Sequence, residues 1–230
     1  MDPVTRAKIQ THIQDSGYHL YIVSTKESPR YAYTIGLKER IGYELCFLGA
    51  LFFDVNEVEE IFASLSSKLI KEGEAKIEVQ KYGIVELRDV RPDWVSELFF
   101  GALDFHGEEH VVFKQVYLNE YNAFIDVPNC SLPLEDSLWS KSKYADYKSY
   151  TTVVNKEVLN SEPVLEVMRW EPNEWEMFSY AGPDVPKNDL RIVPLKVCLL
   201  ADESLINSLK LAVGKGAWRE KRSSMWNAWG

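Results

Sequence analysis

Apolar residues change their spacing several times along the chain, and each change predicts an element. Val4, Ala7, Ile9 and Ile13 recur among polar residues, so 4–16 reads as a helix that Gly17 stops. Tyr18 to Ser24 alternates and reads as a strand. Lys26 to Arg30, with Pro29, reads as a turn, and Tyr31 to Leu37 as a second strand. Glu44 to Leu51 is almost wholly apolar, the pattern of a central strand buried on both faces. From Val55 the period lengthens. Val58, Ile61, Phe62, Leu65, Leu69 and Ile70 mark an amphipathic helix running to about Glu72. Asp54 or Asn56 would cap its start and Gly73 its end. Ala75 to Leu87 suggests a hairpin around Lys81 to Gly83, Pro92 to Leu103 a helix, and Val111 to Tyr117 a strand.

The stretch from Pro128 to Ser149 breaks these periods with prolines, serines and charges. It predicts a linker over 129–149, between a first domain at 1–128 and a second at 150–230. In the second part Thr151 to Val154, Val164 to Met168 and Trp175 to Tyr180 read as strands, with a turn at Glu171 to Glu174. Gly182 to Asp189 reads as an acidic loop. Arg191 to Leu199 alternates like a strand, and Glu203 to Leu211 reads as a short helix. Gly214 to Arg219 is a turn into a last strand. The fold class expected is α+β: two small domains, each a mostly antiparallel sheet packed with helices.

Hydrophobic residues make up 46% of the 230, enough for a packed core rather than a disordered chain. Against 26 Lys and Arg stand 35 Asp and Glu, a formal charge of -9. Such a chain repels nucleic acid and anionic membranes, so neither is expected as a partner, and a cationic protein surface is favoured. Plain solubility is the simpler account of the charge. Cys46, Cys130 and Cys198 are widely spaced and form no CxxC, which suits buried thiols rather than a disulfide frame or zinc site. The first residues lack the apolar run of a signal peptide, and the most apolar stretch, Leu45 to Phe53, is too short to span a bilayer. A cytoplasmic location is expected.

No constellation of catalytic residues stands out. His106-Gly107-Glu108-Glu109-His110 has two histidines four apart, but Gly107 argues against a helix and the glutamates do not follow the HExxH order. No GxxxxGK[ST], GxGxxG or GxSxG is present, and Cys46 lies in an apolar strand where a thiolate is disfavoured. No enzyme activity, cofactor or metal is expected. The alternative is a small-molecule or enzymatic pocket in the first domain around Tyr33, Thr34 and His106. Acidic residues cluster in loops at Asp104, Glu108 and Glu109, at Glu171 and Glu174, and at Asp184 and Asp189. They are either solvated loops or an acidic face that meets a basic cleft. Of the tryptophans, Trp175 and Trp218 sit in strand-like stretches and are expected in the core. Trp226 and Trp229 lie near the terminus and are freer to meet a partner.

Two stretches resemble known families. Tyr31-Ala32-Tyr33-Thr34-Ile35-Gly36-Leu37, then Gly42, Glu44, Leu45 and Gly49, and later Phe113 to Leu118, resemble the bacterial family domain of unknown function 4262 over roughly 4–128. That family carries Gly-His-Pro-Glu-Leu where this chain has Gly42-Tyr43-Glu44-Leu45, so a role for that histidine does not carry over. Val153 to Leu159, Met168-Arg169, Trp175 to Gly182, Leu190 to Val197 and Ala217-Trp218-Arg219 resemble domain of unknown function 2185, an immunity-protein family of bacterial toxin systems. The second resemblance implies an immunity protein that binds a cognate, cytoplasm-acting toxin with a basic active-site surface and occludes its active site. The acidic loops and Trp226 and Trp229 would form the contact. An adaptor with a non-toxin partner is the further alternative.

Overall fold

The computed structural model describes the chain apart from residues 25–29, 74–76, 108–109, 119–123, 138–143, 148 and 230, with backbone alone at 136 and 145. Two six-stranded sheets organise it, and helices pack on each, the α+β class the hydrophobic periods predict.

The first sheet holds β1 (His19–Val23), β2 (Tyr31–Ile35), β3 (Glu44–Leu48), β4 (Ile77–Val79), β5 (Gly83–Asp89) and β6 (Phe113–Leu118) in the order β1-β2-β3-β6-β5-β4. Only β3 and β6 run parallel among its neighbours. Every residue of β2 and β3 is buried. Strand alternation sends Tyr31, Tyr33, Ile35, Cys46 and Leu48 into one core cluster, and Ala32, Leu45 and Phe47 into another. Both faces are therefore covered. The helices of this part are α1 (Pro3–Ser16), α2 (Lys38–Ile41), α3 (Val55–Glu72), α4 (Pro92–Leu98) and α5 (Phe100–His106). On the first face α1 brings Ile9, α4 brings Trp94 and Val95, and α5 brings Ala102. On the other, α3 brings Val58, Ile61, Phe62, Leu65 and Leu69. Asp54 and Glu57 form a reciprocal capping box at the start of α3. The helix expected over 92–103 is two helices. It breaks at Phe99, which has φ −110° and ψ 29° and stacks its buried ring on Phe113 at 4.5 Å.

The second sheet holds β7 (Thr151–Asn155), β8 (Glu166–Glu171), β9 (Glu174–Phe178), β10 (Leu190–Pro194), β11 (Lys215–Trp218) and β12 (Asn227–Trp229) in the order β10-β7-β9-β8-β11-β12. Here β7 and β9 are the parallel pair. Val154, Val167, Trp175, Met177 and Val193 point to one face, against α6 (Lys156–Leu159), α7 (Leu195–Ala201) and a 3-10 helix at Glu203–Lys210. The strand expected over 191–199 ends at Pro194, and α7 begins at the next residue. Leu195, Cys198 and Leu199 satisfy a helical period as well as the alternation that suggested a strand, and Pro194 has no N–H to extend the ladder. Trp218, expected in the core, is exposed, because it points away from the helix-covered face.

The segment between the sheets is shared. Cys130 is buried against the first core and donates its backbone N–H to Gln115 Oε1 at 3.0 Å, while Tyr144, Tyr147 and Tyr150 pack on the second. The turn after β3 is gripped from both sides. Arg30, beside β2, donates to the carbonyls of Ala50 and Phe53 at 3.1 and 2.6 Å. Arg191, on β10, donates to those of Leu51 and Phe52 at 2.7 and 3.1 Å. Asp126 closes the joint: one carboxylate oxygen accepts from Leu51 N at 2.8 Å, while the other is buried with no hydrogen-bond partner among the described residues. Its backbone lies so near Gly49 that a Cβ there would sit 2.0 Å from the Asp126 carbonyl oxygen, and Gly49 also holds φ +72°. Among the described residues no helix is long and apolar enough to cross a membrane.

Candidate functional site

Among the described residues no α-helix packs on the outer face of the second sheet; the 3-10 turn Gly182–Asp184 lies on it against Phe178. Strand register builds it row by row. Ile192, Val153, Glu176, Met168, Gly216 and Trp229 run side by side across all six strands. The next row brings Phe178, Glu166, Trp218 and Asn227 together. Four large apolar side chains lie open on this face: Ile192 is 70% exposed, Trp170 52%, Trp218 44% and Trp229 36%. That concentration sets this face apart from scattered surface apolarity.

A trough of about 300 Å³ lies in the middle. Met168 and Phe178 line it, with Trp170 and Trp229, and the loop at Gly182 and Pro183 forms one rim. Trp229 rests directly on Gly216, where a Cβ would come within 2.6 Å of the indole. Two carboxylates, Glu166 and Glu176, also line the trough. Glu166 Oε2 accepts from Gly182 N at 2.6 Å, which ties the rim to the sheet. Alternation places Glu174 on the same face as Glu176 and puts no lysine or arginine at any strand position of that face. Aromatic walls with carboxylates between them suit a cationic group: an ammonium or guanidinium within about 6 Å of an indole is attracted by the ring and paired by the acid.

The residues singled out from the sequence fall in different places. Trp229 lines the trough. Exposed Asp184 belongs to the short 3-10 turn Gly182–Asp184 at the rim. Glu171 and Glu174 pair across the end of the β8–β9 hairpin, next to Trp170. Asp189 is engaged by Lys156 at 2.8 Å. Trp226 packs against the helix-side core under the Arg219 guanidinium, 4.4 Å from its ring centre. Asp104 lies on α5 in the first part and pairs with the chain's amino terminus. Glu108 and Glu109 lie outside the described residues. Sequence reading missed Glu166, Glu176, Trp170 and Ile192. The alternation of Glu174, Glu176 and Phe178 against buried Trp175 and Met177 carried the signal.

A second cluster lies in the first part. The Glu44 carboxylate is fully buried at the start of β3. It accepts from Thr34 Oγ1 at 2.7 Å, from the backbone N–H groups of Gly36, Leu37 and Lys38 at 2.7, 3.2 and 3.3 Å, and from His106 Nε2 at 3.0 Å. One side chain thus knots the Tyr33-Thr34-Ile35-Gly36-Leu37 turn to α5. Gly36 holds φ +110°, a conformation open to glycine. Residues 12–124 match the family described as domain of unknown function DUF4262. No curated protein and no solved structure matches the chain. Within the matched region Thr34 and the turn at Gly36 together satisfy the buried Glu44 carboxylate. Of the residues suggested for a pocket in this region, Tyr33 is buried, its phenol pushed up by desolvation, and Thr34 is spent on Glu44. His106 alone of the three lines a cavity. All three cysteines are buried, and burial raises each thiol, Cys198 to about 12.

Proposed function

We propose that this protein is an immunity protein, which binds a cognate bacterial toxin through the outer face of its second sheet and blocks the toxin's active site. The observation that carries the reading is the trough: Trp170, Trp229 and Phe178 beside Glu166 and Glu176, on a sheet face free of strand-borne cations. A basic loop lining a nucleic-acid-directed active site has the matching chemistry. Its lysine or arginine enters between the indoles, and the remaining acidic rim at Glu171, Glu174 and Asp184 steers the encounter. The resemblance of 153–226 to the immunity family domain of unknown function 2185, read from its sequence motifs, points the same way, and the net charge of -9 agrees with it. On this reading the protein acts in the cytoplasm, by occlusion and without chemistry of its own.

Co-expression with the product of the adjacent gene tests it. A salt-sensitive complex that rescues growth is the expected result. In that complex Glu176→Lys with Glu166→Lys should weaken binding by at least a hundredfold, because each reversal turns an attraction within a desolvated trough into a repulsion. Reversal of Glu171 and Glu174 at the open hairpin end should cost less, mainly in association rate. Unchanged affinity in the trough variant would remove this face from the interface. A harmless neighbour with no complex would count against the immunity reading itself.

A further inference from the structure

The Glu44 knot leaves one group unused. His106 Nε2 donates to the buried Glu44 carboxylate at 3.0 Å, so in the neutral ring Nδ1 is the acceptor. Nδ1 has no partner among the described residues. The imidazole is held rigidly: its side chain is 6% exposed, and the Phe105 ring stands edge-on to it at 5.5 Å. It nevertheless lines a cavity of about 340 Å³ between α1, the turn after β2 and the end of α5. That volume suits a small ligand. Gln10 and Gln14 supply amides to the cavity, Ile13 and Phe105 an apolar flank, and Glu39 a carboxylate. Among the described residues its lining holds no lysine or arginine; the Arg6 guanidinium lies over the Phe105 ring at 5.1 Å.

An acceptor nitrogen, a carboxylate and two amides, with no cation among them, select a ligand that donates hydrogen bonds and carries positive charge. We propose that this pocket binds a small primary amine. Its ammonium donates one N–H to His106 Nδ1 and pairs with Glu39, while Gln10 and Gln14 hold the ligand's neighbouring hydroxyl or carbonyl group. Glu44 is a positioning residue: it orients the ring and does not touch the ligand. This site belongs to the first sheet and stands apart from the partner face on the second.

The test uses the full-length protein, with ethanolamine, putrescine and glycinamide as probes, read by calorimetric titration and by the imidazole nitrogen resonances of His106. At least one amine should bind saturably and shift the Nδ1 resonance. His106→Phe removes the accepting nitrogen while Thr34 and three backbone N–H groups still serve Glu44, so it should bind the amine about tenfold more weakly, the worth of one hydrogen bond. Glu39→Gln, at an exposed position, should weaken binding similarly and more so at low salt. If none of the three amines binds saturably, or if binding survives undiminished in both variants, the proposal is overturned. Neither outcome bears on toxin binding, which is scored with the trough variants.

Discussion

Two sheets of six strands, each with one parallel pair, are finished differently in this chain. The first is covered on both faces, so β2 and β3 are buried at every position. The second has helices on one face only among the described residues; on the other, β9 presents Glu174 and Glu176, while Phe178 is buried beside the loop at Gly182 and Pro183. Apolar area in the first sheet is spent on stability. On the outer face of the second sheet, Ile192, Trp170 and Trp218 keep much of their apolar area in contact with water, where it adds nothing to folding.

Two tryptophans make that difference measurable. Trp94 is fully buried between α4 and the first sheet and donates Nε1–H to the Leu132 carbonyl at 2.9 Å. Trp94→Ala should destabilise the protein by about 3–5 kcal/mol, the usual cost of emptying an aromatic site. Chemical denaturation followed by fluorescence and by far-ultraviolet dichroism measures it. A loss below about 1 kcal/mol would mean that the doubly covered sheet is not the stable half of the molecule.

The joint between the sheets gives the next largest effect, and it depends on pH. Burial raises the Asp126 carboxyl from 3.8 to about 6, although Leu51 N and the Arg30 charge pull the other way. The folded form therefore holds this proton where the unfolded form has released it. The stabilisation is fully present below about 3.8 and is lost as pH rises through about 6. The size over that window is about 3 kcal/mol. Asp126→Asn should therefore gain up to that amount relative to the parent between pH 4 and pH 7, as read by urea midpoints. A constant difference across the window would show that the joint tolerates the charge. His19 acts in the opposite sense. Desolvation first, then His12 and Lys8, lower it to about 4, so its contribution is present above 6.5 and is lost as acid reaches the unfolded histidine. Comparing parent and Asp126→Asn at each pH cancels this second effect.

How much of this could be read from the sequence follows from which forces leave a local trace. The near-continuous apolar run at Glu44 to Leu51 announced a strand buried on both faces, and Asp54, one of two candidate caps, with Gly73 announced both ends of α3. Local periodicity failed where two periods coincide. Val193, Leu195, Val197 and Leu199 alternate like a strand, yet Pro194 ends the strand and α7 follows. The trough was half legible. Trp229 and the acidic loops stand out by composition, but Trp170, Glu166 and Glu176 meet Trp229 only through strand order, which no local pattern encodes. The same holds for His106 and Glu44, 62 residues apart. The sequence showed a histidine in an acidic loop; the contact that orients it exists only once α5 docks on the first sheet.

The smallest expected change tests the comparison from its other side. Trp170 on the outer face is the counterpart of Trp94 in the covered sheet, and Ile192 opens to solvent at the far end of the same row as Trp229. Ile192→Thr removes a side chain that is 70% exposed, and threonine suits a strand as well as isoleucine does; Trp170→Ala removes one that is 52% exposed. Ile192→Thr should change stability by no more than about 0.5–1 kcal/mol, and Trp170→Ala should cost less than Trp94→Ala. A large loss at Trp94 with a negligible one at Ile192 would support the proposed binding face from denaturation data. If instead Ile192→Thr or Trp170→Ala costs several kcal/mol, the outer face is a core in its own right. It would then be covered in solution by something already bound to the folded chain, and the partner should be sought there, starting with a second copy.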